Sequence, residues 1–143
     1  MVEVAPLGPD DRAGWEMLAR DYKAFYEDVI PDEDYERTWK RLMADSDVHG
    51  LGGWLDGELV GFAHYMFHPH TWLGEVCYLQ HLFTAPDTRG KGVATALIDR
   101  VGWNARRRGA AKYYWLTKAD NPARALYDRI ARNKGFIRYD YPR

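Results

Sequence analysis

The stretch Leu82-Phe83-Thr84-Ala85-Pro86-Asp87-Thr88-Arg89-Gly90-Lys91-Gly92-Val93-Ala94-Thr95 constrains the fold more than any other part of the chain. Its apolar start reads as a strand, and beyond it Ala94, Leu97, Ile98 and Val101 recur on one side of a helix. A strand that passes through two glycines straight into a helix belongs to an α/β fold. Gly90 and Gly92 let the backbone approach a ligand without interference from a Cβ. The first N–H groups of the helix lack intrahelical partners and lie at its positive end. With Arg89 and Lys91 as cationic donors, the unit suits phosphate, most readily a pyrophosphate. A P-loop would need G-x-x-x-x-G-K-[ST], which is absent, and Thr95 stands where a dinucleotide fingerprint needs its third glycine. The plain alternative is a glycine turn that merely starts a helix.

The rest of the chain supplies a sheet for this unit. Val2–Leu7 reads as a first strand. Trp15, Leu18, Ala19, Tyr22, Phe25 and Tyr26 mark one face of a helix that begins near Pro9. Pro31 breaks it, and Asp34–Asp45 reads as a second helix. Gly52–Leu55 and Leu59–Phe67 read as strands joined by Asp56-Gly57, the strongest short hairpin signal. His68–Leu73 is predicted as a loop, Glu75–Thr84 as a strand, Gly92–Arg107 as a helix and Lys112–Thr117 as a strand. Pro122–Asn133 is predicted as a last helix and Phe136–Tyr139 as a closing strand. At 143 residues the chain is expected to form one domain, 1–143, with a mixed sheet flanked by helices.

Composition removes several function classes. Cys77 is the only cysteine, which excludes an intramolecular disulfide and a cysteine-based zinc site. His68-Pro69-His70 has no evident third ligand, so no metal is expected. Neither a membrane-length apolar run nor a signal peptide is visible, and a soluble, cytoplasmic protein is expected. Arg106-Arg107-Arg108 ends a helix, where cations favour the dipole. With a pI near 6.5, it does not make a nucleic-acid footprint.

Arg89-Gly90-Lys91-Gly92-Val93-Ala94 resembles the R-x-x-G-x-[GA] acyl-CoA loop of GNAT superfamily N-acetyltransferases. Leu82–Pro86 before it, and Ala125-Leu126-Tyr127 followed by Gly135-Phe136 after it, are similar to that family's other segments. The resemblance covers roughly residues 50–143. It implies a mostly antiparallel sheet with a β-α-α start and a β-α-β-α-β second half. It also implies acetyl-CoA as co-substrate and direct transfer of acetyl to a primary amine of a small molecule or peptide. Leu82, Phe83 and Thr84 match the bulged, splayed strand that pairs with the pantetheine arm. Arg89, Gly90, Lys91, Gly92, Val93, Ala94 and Thr95 match the pyrophosphate cradle. Tyr127 matches the tyrosine that protonates the departing thiolate, a suitable task for a phenol.

Two departures stand out. Asp120 occupies the position where members often carry a cofactor-contacting asparagine, so Asn121 takes that role only with a shortened loop. Gly135 follows Tyr127 by eight residues where many members have four, which resembles a branch with acetylases of histone tails, polyamines and D-amino acids. His81 stands where that branch is usually acidic. An imidazole can take the ammonium proton directly or through water; a core histidine is the alternative. On a regular strand His81 would share a face with Leu79 and Phe83.

The acceptor end rests on charge. Residues 1–60 hold 15 Asp and Glu against 6 Lys and Arg, and the remainder hold 6 against 14. Glu27, Asp28, Asp32, Glu33, Asp34 and Glu36 crowd the turn between the first two helices, where an acidic lining would orient a cationic amine. Tyr26, Glu27 and Asp28 are the candidate acceptor residues, against the alternative of a solvated loop. A homodimer is compatible with the aromatic content. A catalytically silent acyl-CoA sensor or assembly module is the rival function.

Overall fold

The computed structural model describes residues 1–142. Chain order is β1 (Val2–Pro6), α1 (Arg12–Phe25), α2 (Asp32–Ala44), β2 (His49–Leu55), β3 (Glu58–His70), β4 (Gly74–Thr84), α3 (Val93–Arg108), β5 (Tyr113–Trp115) and α4 (Arg124–Ile130). The five strands form one sheet in sequence order. The first four pair antiparallel, and β5 joins β4 in parallel. This is the predicted mixed α/β architecture.

Local chemistry explains the element ends. Asp56 and Gly57 both adopt positive φ, 52° and 87°, the pair of left-handed residues that a two-residue hairpin needs to match strand twist. Asp32, Glu33 and Asp34 occupy the first turn of α2, where carboxylates meet the positive helix end. Gly109 (φ 85°) closes α3, as its N–H and that of Ala110 return to the carbonyls of Arg106 and Ala105.

Two apolar clusters sandwich the sheet. On one face α3 packs Val93, Leu97, Ile98, Val101 and Ala105 on Leu51, Val60, Ala63, Tyr65, Cys77 and Leu79. On the other, α1 and α2 pack Trp15, Leu18, Tyr35, Trp39 and Leu42 on Leu7, Phe62 and Phe83. Gly61 of β3 is tightly enclosed. A Cβ there would lie 2.9 Å from the Phe83 carbonyl oxygen, 3.1 Å from Val93 and 3.2 Å from Thr84. Gly61→Ala is therefore expected to cost about 1–3 kcal/mol by overpacking. Urea unfolding checks this, and an unchanged midpoint would show that β4 and α3 yield freely.

The structure corrects three predicted elements. His68–His70 continue β3 opposite Gly74–Val76, so the predicted loop shrinks to a turn at 71–73. The last helix ends at Ile130, short of Asn133. Phe136–Tyr139 forms no strand: residues 132–142 carry no regular structure, and Phe136, Ile137, Tyr139 and Tyr141 are exposed. Strand-prone side chains need a ladder partner. Here the segment lies against none, while β5 pairs on one side only.

Candidate active site

The site begins with a fault in β4. His64 pairs with His81, but the next pair is Tyr65 with Leu79, which leaves Gln80 as an extra residue. Such a bulge shifts the alternation of side chains by one. Cys77 and Leu79 therefore face α3, while His81 and Phe83 face α1. The expected shared face of Leu79, His81 and Phe83 is corrected by this single inserted residue. Pairing with β5 stops at Leu79. Beyond it, Gln80–Thr84 have no strand on that side among the described residues. A row of backbone donors and acceptors is thus available to an extended ligand.

The glycine loop continues from that open edge. A short turn at Pro86–Thr88 is fixed by the buried Thr88, whose Oγ1 donates to the Ala85 carbonyl at 2.8 Å. Gly90 (φ 80°) and Gly92 (φ 87°) are both left-handed, and no atom lies within 4 Å of where their Cβ atoms would be. Their conformation, and not a lack of room, calls for glycine. The open space lies at the N-terminus of α3, whose N-cap Gly92 offers no side chain to the Val93, Ala94 and Thr95 N–H groups. Leu82 packs towards the α3 cluster. Arg89 leans on Phe25 and Phe83, each ring centre 5.8 Å from the guanidinium. Lys91 is exposed.

Tyr127 lies on α4 against Trp115, the last residue of β5, which pairs with Leu79. The Tyr127 ring meets Trp115 edge-on at 5.5 Å, and burial beside Tyr26 raises its pKa above the ordinary phenol value. The hydroxyl therefore keeps its proton at neutral pH. The Tyr22 and Tyr26 rings meet at a tilt of 55° with centres 5.0 Å apart, and Tyr22 meets His81 edge-on at 5.3 Å, so α1 packs over His81. Burial and the neighbouring Tyr26, Tyr127 and Tyr78 also raise the Tyr22 pKa. Asn121 is committed locally: its amide donates to Thr117 Oγ1 at 2.8 Å and its carbonyl oxygen accepts from the Ala123 N–H at 2.9 Å. It thus anchors the entry to α4.

Between α1, α2 and the β3–β4 ladder lies a cavity of about 260 Å³, lined by Tyr22, Lys23, Tyr35, Phe62, His64 and His81 among others. His81 is deeply set there, and desolvation together with Lys23 lowers its pKa to about 4. A pKa lowered to that extent makes His81 a weak base at neutral pH. Sequence reasoning assigned nothing to Lys23 or His64. The available signal was His64 itself, the only imidazole in the apolar run Leu59–Phe67. The acidic turn is largely spent on local pairing: Asp28 with Lys23, Asp32 with Arg20, Asp34 with Arg37 and Glu36 with Arg12. Glu27 and Asp28 line a second, wider opening beside Lys23, and Glu27 sits at a positive φ of 55°. Tyr26 is partly exposed under Lys118, 5.8 Å from its ring centre. Cys77 is buried, with its thiol pushed up to about 12 by desolvation, which does not suit an acyl relay.

A strand edge, glycine loop and helix N-terminus in this order give an α/β fold a place suited to an extended, phosphate-bearing ligand, and comparison with known proteins identifies the family. Residues 15–131 match the Acetyltransferase (GNAT) family, and the chain belongs to that family. It is 32% identical over 136 residues to the D-amino-acid N-acetyltransferase HPA3 of Saccharomyces cerevisiae, spanning 91% of this chain and 84% of that protein. It is 32% identical over 114 residues to the mouse (Mus musculus) thialysine N-epsilon-acetyltransferase, spanning 76% and 67%. The crystal structure of a ribosomal-protein-alanine N-acetyltransferase from Brucella melitensis biovar Abortus 2308 superposes with a TM-score of 0.84 at 28% identity, over 99% of both chains. The protein is an acetyl-CoA-dependent N-acetyltransferase.

Proposed function

We propose that this enzyme acetylates the amino group of a small, amino-acid-like molecule, with Tyr127 as the acid that serves the departing thiolate. The observation that carries the reading is the unpaired edge of β4 at Gln80–Thr84, continuous with the glycine loop; Tyr127 packs on Trp115, where β5 stops beside Leu79. Leu82, Phe83 and Thr84 pair with the pantetheine arm, and residues 89–95 hold the pyrophosphate by N–H groups at the start of α3. Asn121 supports the arm through the turn it anchors. The amine, neutral after losing its proton to water beside His81, attacks the thioester carbonyl carbon. The C–S bond breaks, Tyr127 gives its phenolic proton to sulfur, and the proton that the attacking nitrogen sheds passes to solvent, from which Tyr127 is reprotonated. Holding both molecules in one cleft makes the attack effectively intramolecular.

The names of the two relatives, one acting on D-amino acids and one on thialysine, support an amino-acid-like acceptor. Glu27 and Asp28 at the opening beside Lys23, with Tyr26 next to them in the chain, guide the ammonium end. Free-thiol release from acetyl-CoA is expected with amino acids of this kind and not in the no-amine control. Silence across an amine panel, with calorimetric binding of acetyl-CoA intact, would favour a binding module instead. No helix among the described residues is long and apolar enough to cross a membrane; a cytoplasmic location is part of the proposal. The one-sided β5 edge and the exposed Phe136, Ile137, Tyr139 and Tyr141 support a homodimer. Sedimentation velocity should give twice the monomer mass of 16.6 kDa; a monomer at micromolar concentration would reject it.

A further inference from the structure

Three side chains from three elements form a buried hydrogen-bond chain behind the acceptor cavity. Trp15 Nε1 of α1 lies 3.0 Å from His64 Nε2 on β3, and His64 Nδ1 lies 3.1 Å from His81 Nδ1 on β4. An indole nitrogen can only donate, so His64 Nε2 must be the unprotonated, accepting atom. Neutral His64 therefore carries its hydrogen on Nδ1 and donates it to His81 Nδ1. His81 Nδ1 is then the acceptor, and the hydrogen of His81 is left on Nε2. That Nε2 has no partner among the described residues, and its ring lines the cavity with Tyr22 and Lys23. The opposite tautomer of His81 would turn the chain round and set a His64 N–H against the Trp15 N–H.

We infer that Trp15 and His64 lock His81 as a neutral imidazole whose Nε2–H is offered to an oxygen of the acceptor molecule, a carboxylate in the first instance, and that His81 does not receive the ammonium proton. A proton arriving on Nδ1 would face the His64 N–H, and one on Nε2 finds that nitrogen already protonated. Lys23 of α1, paired with Asp28, lines the cavity, and Arg37 and Asp34 of α2, paired with one another, stand at its rim, so the Nε2–H is offered where the nearby charges are already balanced. The burial that depresses His64 and His81 is consistent with two neutral rings. Trp15 and His64 are thus positioning residues, and the bulge at Gln80 is what brings His81 onto their face of the sheet.

This inference rests on the proposed amino-acid-like acceptor, but its first test does not involve turnover. Long-range ¹H–¹⁵N NMR correlations of the ¹⁵N-histidine-labelled full chain distinguish the two tautomers by their nitrogen shifts. The expected spectrum has His64 protonated on Nδ1 and His81 on Nε2, unchanged from pH 8 to about pH 5. His81 protonated on Nδ1, or titrating near its ordinary pKa of about 6.5, would overturn the lock. The second test is kinetic. His81→Gln should raise KM about tenfold for an amino acid relative to the matching amine without the carboxylate. The kcat should stay within about threefold and the acid limb of the kcat profile should not move. A fall in kcat of about a hundredfold with a displaced acid limb would identify His81 as the base and overturn the inference. If the wild-type chain releases no thiol with any amine, the proposed function fails while the NMR result stands by itself.

Discussion

Replacing Tyr127 by Phe is expected to lower kcat by about 10²- to 10⁴-fold, the usual contribution of a positioned general acid. The dissociation constant for acetyl-CoA should stay within about threefold. The separation is possible because the ring and the hydroxyl do different work. The ring packs on Trp115, a contact that Phe retains, and α4 is anchored independently through Asn121. The hydroxyl makes no hydrogen bond among the described residues, so its removal should leave stability within about 0.5 kcal/mol. Burial raises the phenol pKa, which keeps the proton available through the neutral range and delays its loss at alkaline pH. Stopped-flow thiol release and calorimetry on the same preparation would decide. An unchanged kcat would remove Tyr127 as the acid, and a fall in kcat matched by lost acetyl-CoA binding would show a structural role.

The second large effect is acid destabilisation centred on the histidine pair. Both His64 and His81 have folded-state pKa values below the ordinary value, chiefly through desolvation. Above about pH 6.5 neither state is protonated there, and the pair adds no pH dependence. As pH falls below 6.5 the unfolded chain takes up protons that the folded chain refuses, so stability declines. For His81, with a folded value of about 4, the loss amounts to about 1.4 kcal/mol per pH unit and saturates near 3 kcal/mol. His64 adds in the same direction. Urea unfolding of wild type and His81→Gln at pH 7.5, 6 and 5 isolates the effect from carboxylate titration. Wild type should lose about 1.4 kcal/mol per unit more than the variant below pH 6.5. Parallel curves would mean that His81 charges freely in the fold.

Legibility varied with how local the determinants were. The Asp56-Gly57 hairpin, the helix of α3 and the glycine loop each depend on φ angles, spacing and capping within a few residues, and all three form where the sequence predicts them. The closing strand Phe136–Tyr139 does not form, because a strand is settled by the edge that receives it and not by its own side chains. The end of β3 obeys the same rule. His68-Pro69-His70 looks like a loop by composition, yet β4 supplies a partner for each residue. The acidic turn is crowded with carboxylates in the sequence, and the fold satisfies most of them with nearby Arg and Lys.

What the sequence determined alone is the proposed phosphate end of the site: a strand, two left-handed glycines and a helix N-terminus are contiguous, and local backbone rules are enough to assemble them. The proposed acceptor end was decided by tertiary structure. One unpaired residue, Gln80, moves His81 from the α3 face to the α1 face, where it meets His64 and, through His64, Trp15. Bulge position is fixed by the register between β3 and β4, and register reflects the packing of both sheet faces together.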